Sequence, residues 1–236
     1  MPVLIEMEKK ESPRELILKM LAEKSLLKQD VFQKTKQIFS DLKSSLKEIH
    51  NDLKASVKIY EKKLSLEYFD KGDYEVELRI AGDSIIFLMH TNVFTFDREH
   101  NIWKTSYIEE DNSRSYCGVI YIYNFLADSL RFSRANDIGY LIGRIFVNKD
   151  LHFFVEGKRQ MGFLYNDFAH ATLGRENIRS VIESAILYCL DFDLYSPSYD
   201  TVKEISLQQI LESNLQQKII TGKRLGFRFQ ADDDTV

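Results

Sequence analysis

The sequence predicts an α+β protein with a long N-terminal helical arm, a large mainly antiparallel β-sheet and a C-terminal helical layer. Three observations predict it. Residues 30–64 contain neither Gly nor Pro and carry apolar residues at seven-residue intervals. Residues 66–165 break instead into short β-rich runs separated by Gly, Asn and Asp. After Gly174 the apolar residues return to helical spacing. The expected division is a coiled-coil-like arm over 1–65 and an α+β domain over 66–236.

With 236 residues and 44% hydrophobic content, the chain can bury a sizeable core, which excludes a disordered protein. The formal net charge of -4 gives no global basic excess to draw it to nucleic acid or a membrane. That average conceals an asymmetry: residues 1–65 carry 14 Lys/Arg against 10 Asp/Glu, and the remainder 18 against 26. A lysine-rich helix packing beside an acidic body is the expected consequence.

The first helix starts at Ser12, which can cap free N–H groups, with Pro13 at N1 and Glu15 completing a capping box. Leu16, Met20 and Leu27, with Ile17 and Leu21 beside them, form its apolar stripe, and it is expected to end near Leu27. A second start follows at Asp30 with Gln33 three residues on. Phe32, Phe39, Leu46, Leu53 and Tyr60 then recur every seven residues, with Leu42 and Ile49 at the companion positions and Thr35 and Ser56 interrupting the second series. Such a helix is about 50 Å long at 1.5 Å per residue. Its seam must be covered by a second copy, by the first helix or by the sheet, and self-association is the expectation carried forward.

The β region begins with a turn at Asp70–Asp73, a strand at Tyr74–Ala81, a tight Gly82-Asp83 turn and a strand from Ser84, forming a hairpin. "IWKTSYIEED" reads as a third strand. "SYCGVIYIYNF" reads as a fourth, and its apolar or amphipathic residues on both faces place it centrally. Residues 126–137 are either a bent strand or a connection. The three runs that follow, separated by Asn148-Lys149-Asp150 and Glu156-Gly157-Lys158, give a meander, for six to eight strands in all. Ile178, Ile182, Ala185, Ile186 and Cys189 define a helix closed by Pro197, and Val202–Asn214 a last one.

One short pattern carries chemistry. Glu156-Gly157-Lys158, at the end of a hydrophobic run, resembles the catalytic edge of PD-(D/E)xK metal-dependent nucleases. That resemblance implies Mg²⁺ held by Glu156 and a preceding Asp, with Lys158 steadying the attacking water. The position of that Asp is filled by Phe146, and the nearest acid, Asp150, lies in a turn. The bland alternative is a polar turn in which Gly157 supplies unusual backbone angles.

Other signals are weaker. Cys117 and Cys189 form no CxxC, which points to a reducing compartment and to Cys117 as a small buried hydrophobe. The five histidines show no metal-ligand spacing, and no nucleophile elbow, Walker loop or dinucleotide fingerprint occurs. Lys28, Lys34, Lys36, Lys43, Lys47, Lys54, Lys58, Lys62 and Lys63 give the long helix a basic face, and Tyr121, Tyr123, Phe125 and Phe132 offer a stacking platform for single-stranded nucleic acid. No arginine lies between 28 and 64 to clamp phosphates. The start of the chain lacks the apolar stretch of a secretory signal, and no window spans a bilayer. The resulting expectation is a cytoplasmic, non-enzymatic binding or scaffold protein with no cofactor or metal. Its partner would be a second copy or another helical protein, met through the seam of Phe32, Phe39, Leu42, Leu46, Ile49, Leu53 and Tyr60. The alternatives are a degenerate nuclease using Asp150, Glu156 and Lys158, or a single-stranded nucleic-acid-binding protein.

Overall fold

The computed structural model describes residues 12–57, 64–158, 160–193, 196 and 198–210. The N-terminal start forms as its residues dictate. The Ser12 hydroxyl accepts from the Glu15 N–H (3.3 Å), the Glu15 carboxylate accepts from the Ser12 N–H (2.8 Å), and Pro13 opens the helix. Helix α1 (Pro13–Met20) passes through one π-helical stretch (Leu21–Ser25) into α2 (Leu26–Val57). The expected break at Leu27–Asp30 does not exist, because no Gly or Pro interrupts the backbone there. Asp30 is a helix-surface residue that pairs with Lys34 one turn on (2.8 Å).

Six strands follow: β1 (Leu66–Asp70), β2 (Glu75–Ile80), β3 (Asp83–Met89), β4 (Cys117–Leu126), β5 (Tyr140–Asn148) and β6 (Phe153–Gly157). They form one antiparallel sheet in sequence order, so every strand pairs with its neighbours in the chain. β4 lies in the interior, as its two-sided pattern requires. Three β-region expectations change. β1 precedes the expected hairpin. The run "IWKTSYIEED" forms a 3₁₀ turn (Asn101–Lys104) and the short helix α3 (Ser106–Glu110), because Ile102, Tyr107 and Ile108 are buried at a spacing that no strand provides. The last run of the expected meander is helix α5 (Gln160–Leu164).

Residues 126–137 contain helix α4 (Ala127–Arg131). The C-terminal layer is α6 (Arg175–Leu190), whose Ile178, Ile182, Ala185, Ile186 and Cys189 are buried, and a single turn α7 (Tyr199–Val202). The last part of the helix expected at Val202–Asn214 lies outside the described residues.

Helices α2 and α6 lie side by side on one face of the sheet. Leu42, Leu46 and Ile49 of α2 and Val181 and Ile182 of α6 share a core with Leu78, Phe87, Ile120, Ile122 and Val155. The closest approach explains an interruption in the heptad pattern. A Cβ built on Gly118 of β4 would stand 2.1 Å from the Thr35 hydroxyl oxygen, so the helix crosses where both residues are small. Thr35 is fully buried and donates its hydroxyl to the Val31 carbonyl (2.7 Å). The charge asymmetry is expressed locally: Lys36 pairs with Asp73 (2.7 Å), Lys43 with Asp70 (2.5 Å), and the Lys34 ammonium donates to the Lys149 carbonyl (2.6 Å). On the other flank Arg175 reaches Glu48 (2.6 Å) and Arg179 reaches Asp52 (3.2 Å). The helix from Val31 onward is therefore packed into the body of the molecule.

A second, smaller core occupies the opposite face of the sheet. The segment between β3 and β4 folds back so that Ile102, Tyr107 and Ile108 pack on Cys117, Val119 and Phe146, with Phe168 from the loop after α5.

Candidate interaction surface and cleft

The seam expected to recruit a partner is satisfied within the chain. Phe39, Leu42, Leu46 and Ile49 are each 3% exposed or less, and Phe32 and Leu53 are half-buried against the same core. Self-association through these residues is corrected on that ground: the sheet supplies the apolar surface that a second copy was expected to supply. Tyr60 lies outside the described residues.

Apolar surface is left open on the preceding part of the same helix, as it is at Phe163, Leu187 and Leu207 elsewhere. No residue of α1 or of the π-helical stretch is buried. Leu16, Ile17, Leu18, Met20, Leu21 and Leu26 are 45–64% exposed. Six large apolar side chains so placed, on a helix that extends past the sheet, are more than the scattered exposure of an ordinary surface. No helix among the described residues is long and apolar enough to cross a membrane.

Where this arm joins the body, a cleft of about 310 Å³ opens between the π-helical stretch and the segment 95–116. The long helix contributes Glu23, Lys24 and Leu27, and the facing wall contributes Thr95, Phe96, Arg98, Trp103, Asn112, Ser113, Ser115 and Tyr116. A π-helical stretch widens the helix locally and often accompanies a functional site. The wall is held by a hydrogen-bonded frame. The Trp103 indole N–H donates to the Asp97 carbonyl (2.8 Å), and the Arg98 guanidinium lies over the indole ring, 4.6 Å from its centroid. Asp111 caps the 3₁₀ turn Asn112–Ser115 by accepting from the Ser113 N–H (2.9 Å) and hydroxyl (2.6 Å). The Ser113 hydroxyl, offset by some burial and reinforced by Lys149 at 3.0 Å, brings the Asp111 carboxyl down to about 2.

The residues of the nuclease alternative do not converge. Asp150 lies in the turn before β6, where it accepts from the Tyr107 hydroxyl (3.2 Å) and pairs with Arg114 (3.4 Å). Glu156 lies near the other end of β6, about 10 Å beyond Phe153 at about 3.3 Å per residue, and is held by the Arg144 guanidinium and the His100 imidazole (3.4 Å). Lys158 borders a separate cavity of about 20 Å³ beside Tyr188 and Phe192. Among the described residues no group of three His, Cys, Asp or Glu is placed to hold a metal ion. Gly157 has no positive φ; its smallness serves packing, because a Cβ there would stand 2.8 Å from the Met161 Cβ as α5 turns back on the strand end.

Cys117 is fully buried, which raises its thiol pKa and removes it as a nucleophile. Tyr121 and Tyr123 do stack (5.9 Å between centroids) but are half-buried, and Phe132 sits apart beneath Arg134 (5.6 Å). Lys34, Lys36 and Lys43 of the basic face are occupied in the contacts described above.

Comparison with known proteins returns no similarity: no family model matches the sequence, and no curated protein or solved structure matches the chain. The cleft leaves no local pattern, since its aromatic and cationic residues come from the third and fourth expected strands, from the stretch before them and from a helix about 70 residues earlier. The one available signal was the concentration of Phe94, Phe96, Arg98, Trp103 and Tyr116 in a stretch with weak strand alternation.

Proposed function

We propose that this is a non-enzymatic binding or scaffold protein that self-associates through the arm Pro13–Leu26, pairing it with the arm of a second copy. The observation that carries the reading is the row of exposed Leu16, Ile17, Leu18, Met20, Leu21 and Leu26 on a helix with no buried residue before Leu26. Leu16, Ile17, Met20 and Leu21 share one face and, with about half their surface free, offer on the order of 400 Å² per copy, so two arms together bury about 800 Å², the size of a weak or transient interface. A two-fold pairing covers the same patch on both copies and needs no other protein. Charge does not oppose it, because Arg14, Lys19 and Lys24 are interspersed with Glu15 and Glu23.

Sedimentation or light scattering of the full chain tests the reading. A dimer is expected, and Ile17→Glu with Leu21→Glu converts it to a monomer whose own thermal unfolding is little changed. A wild-type chain that stays monomeric at about 100 μM defeats the proposal.

A further inference from the structure

We infer that the cleft between the π-helical stretch and segment 95–116 binds a small planar aromatic anion, a ring carrying a carboxylate or phosphate. The size fits: about 310 Å³ lies at the small end of the range for metabolite sites. The lining supplies both halves of such a ligand. Phe96, Trp103 and Tyr116 present ring surface from one wall, and Leu27 presents aliphatic surface from the long helix.

The charge balance favours an anion. Lys24 and Arg98 border the cleft against one carboxylate, Glu23, and among the described residues neither cation makes an ion pair. Asp111 behind the wall is already taken by Ser113 and Lys149, and Asp97 beside Arg98 accepts from the Glu99 N–H (3.3 Å). The guanidinium of Arg98, placed 4.6 Å from the indole centroid, has the donors to receive two oxygens of one carboxylate or phosphate.

The hydroxyls refine the class. Ser113 donates to Asp111 (2.6 Å) and Ser115 to the Asn112 carbonyl (2.7 Å), while Thr95 lies 3.2 Å from the Ser115 oxygen. With these protons directed into the frame and Ser115 fully buried, the hydroxyls of Thr95 and Ser113 offer the cleft lone pairs. A ring bearing an amino or hydroxyl donor as well as the anionic group matches that arrangement.

Trp103 is the only tryptophan in the chain, so its emission reports the cleft directly. The full chain would be titrated with adenosine 5′-monophosphate and with 4-hydroxybenzoate, and with adenosine and inorganic phosphate as the two halves of the first probe; calorimetry would serve where a probe's absorbance interferes. A saturable signal below about 1 mM is expected with at least one aromatic anion and with neither half. Arg98→Gln and Lys24→Gln, both on exposed side chains, should each weaken it about tenfold while leaving thermal unfolding unchanged. No saturable signal from either aromatic anion, equal affinity for phosphate or adenosine alone, or binding indifferent to both substitutions would overturn the assignment.

Discussion

Two stretches of one uninterrupted helix have opposite fates. Residues 13–26 carry apolar side chains on most of their circumference, yet none is buried. Residues 31–50 have a comparable apolar repeat and bury Val31, Ile38, Phe39, Leu42, Leu46 and Ile49 almost completely. Local propensity does not separate them. What separates them is the sheet, which lies under the second stretch and ends before the first, so the same kind of stripe is core in one place and open surface in the other.

The sharpest way to break this comparison is to truncate one leucine in each half. Leu46 is 0% exposed, and Leu46→Ala should cost about 3 kcal/mol of unfolding free energy, the transfer term plus the cavity it leaves. Leu18 is 57% exposed, and Leu18→Ala should stay within about 0.5 kcal/mol in dilute solution. Denaturant unfolding of both variants decides it. Equal losses would mean that the arm is as integrated as the rest of the helix.

Next in size is the crossing point. Gly118→Ala places a methyl group 2.1 Å from the Thr35 oxygen, and neither β4 nor the helix can yield without disturbing the core around it. A loss of about 2 kcal/mol is expected from such overpacking. Thr35→Ala in the same chain removes the two nearest atoms and should recover part of it, a coupling that a double-mutant cycle measures. Additive losses would show that the contact does not set the spacing of helix and sheet.

The crossing also shows how far the sequence could be read. Helix, antiparallel sheet and C-terminal helix were legible because each has a long periodic stretch: the seven-residue repeat, the alternation in β4, the face of α6. The seam residues were recognised as needing cover, but a heptad pattern states only that a partner exists. Thr35 looked like a flaw in the seam; only Gly118, 83 residues later, gives it meaning. The cleft left almost no trace, since Lys24, Arg98, Trp103 and Tyr116 meet through tertiary packing. Glu156 and Lys158 mislead for the opposite reason, being two residues apart in sequence but directed to different surroundings.

A smaller effect concerns the wall of the cleft and its response to acid. Asp111 titrates at about 2 in the folded chain against an ordinary value of 3.8, so its ionised form favours the folded state. That stabilisation is complete above about pH 5 and is lost as the pH falls through 3.8 toward 2. With the side chain 38% exposed, solvent screening reduces the contribution to about 1 kcal/mol. Asp111→Asn should therefore be less stable by about that amount at pH 6 and indistinguishable from the parent near pH 2. A constant difference across this range would remove the Asp111 carboxylate, held by Ser113 and Lys149, as the source.

An effect of similar size lies at the tip of the β2–β3 hairpin, and it runs toward greater stability. Ile80 pairs with Asp83, so the loop is Ala81-Gly82 and not the Gly82-Asp83 suggested by the glycine. Ala81 has φ 50°, while Gly82 lies outside the positive-φ region, so the permissive residue stands one place beyond the position that needs it. An L-residue held left-handed costs about 1 kcal/mol, part of which Ala81→Gly returns after its greater unfolded-state entropy is subtracted. Gly82→Ala meets no atom within 4 Å and narrows the unfolded ensemble by about 0.5 kcal/mol. The exchanged pair, Gly at 81 and Ala at 82, should thus unfold at slightly higher denaturant than the parent, by about 1 kcal/mol, with the Ala81 N–H still donating to the Ser65 carbonyl (2.8 Å). Because Leu46 lies in the core and an added Cβ on Gly82 meets no atom within 4 Å, the gain should add to the loss from Leu46→Ala without coupling. Any coupling would mean that hairpin and helix do not respond independently, contrary to the view that the sheet is the fixed surface on which the helix divides.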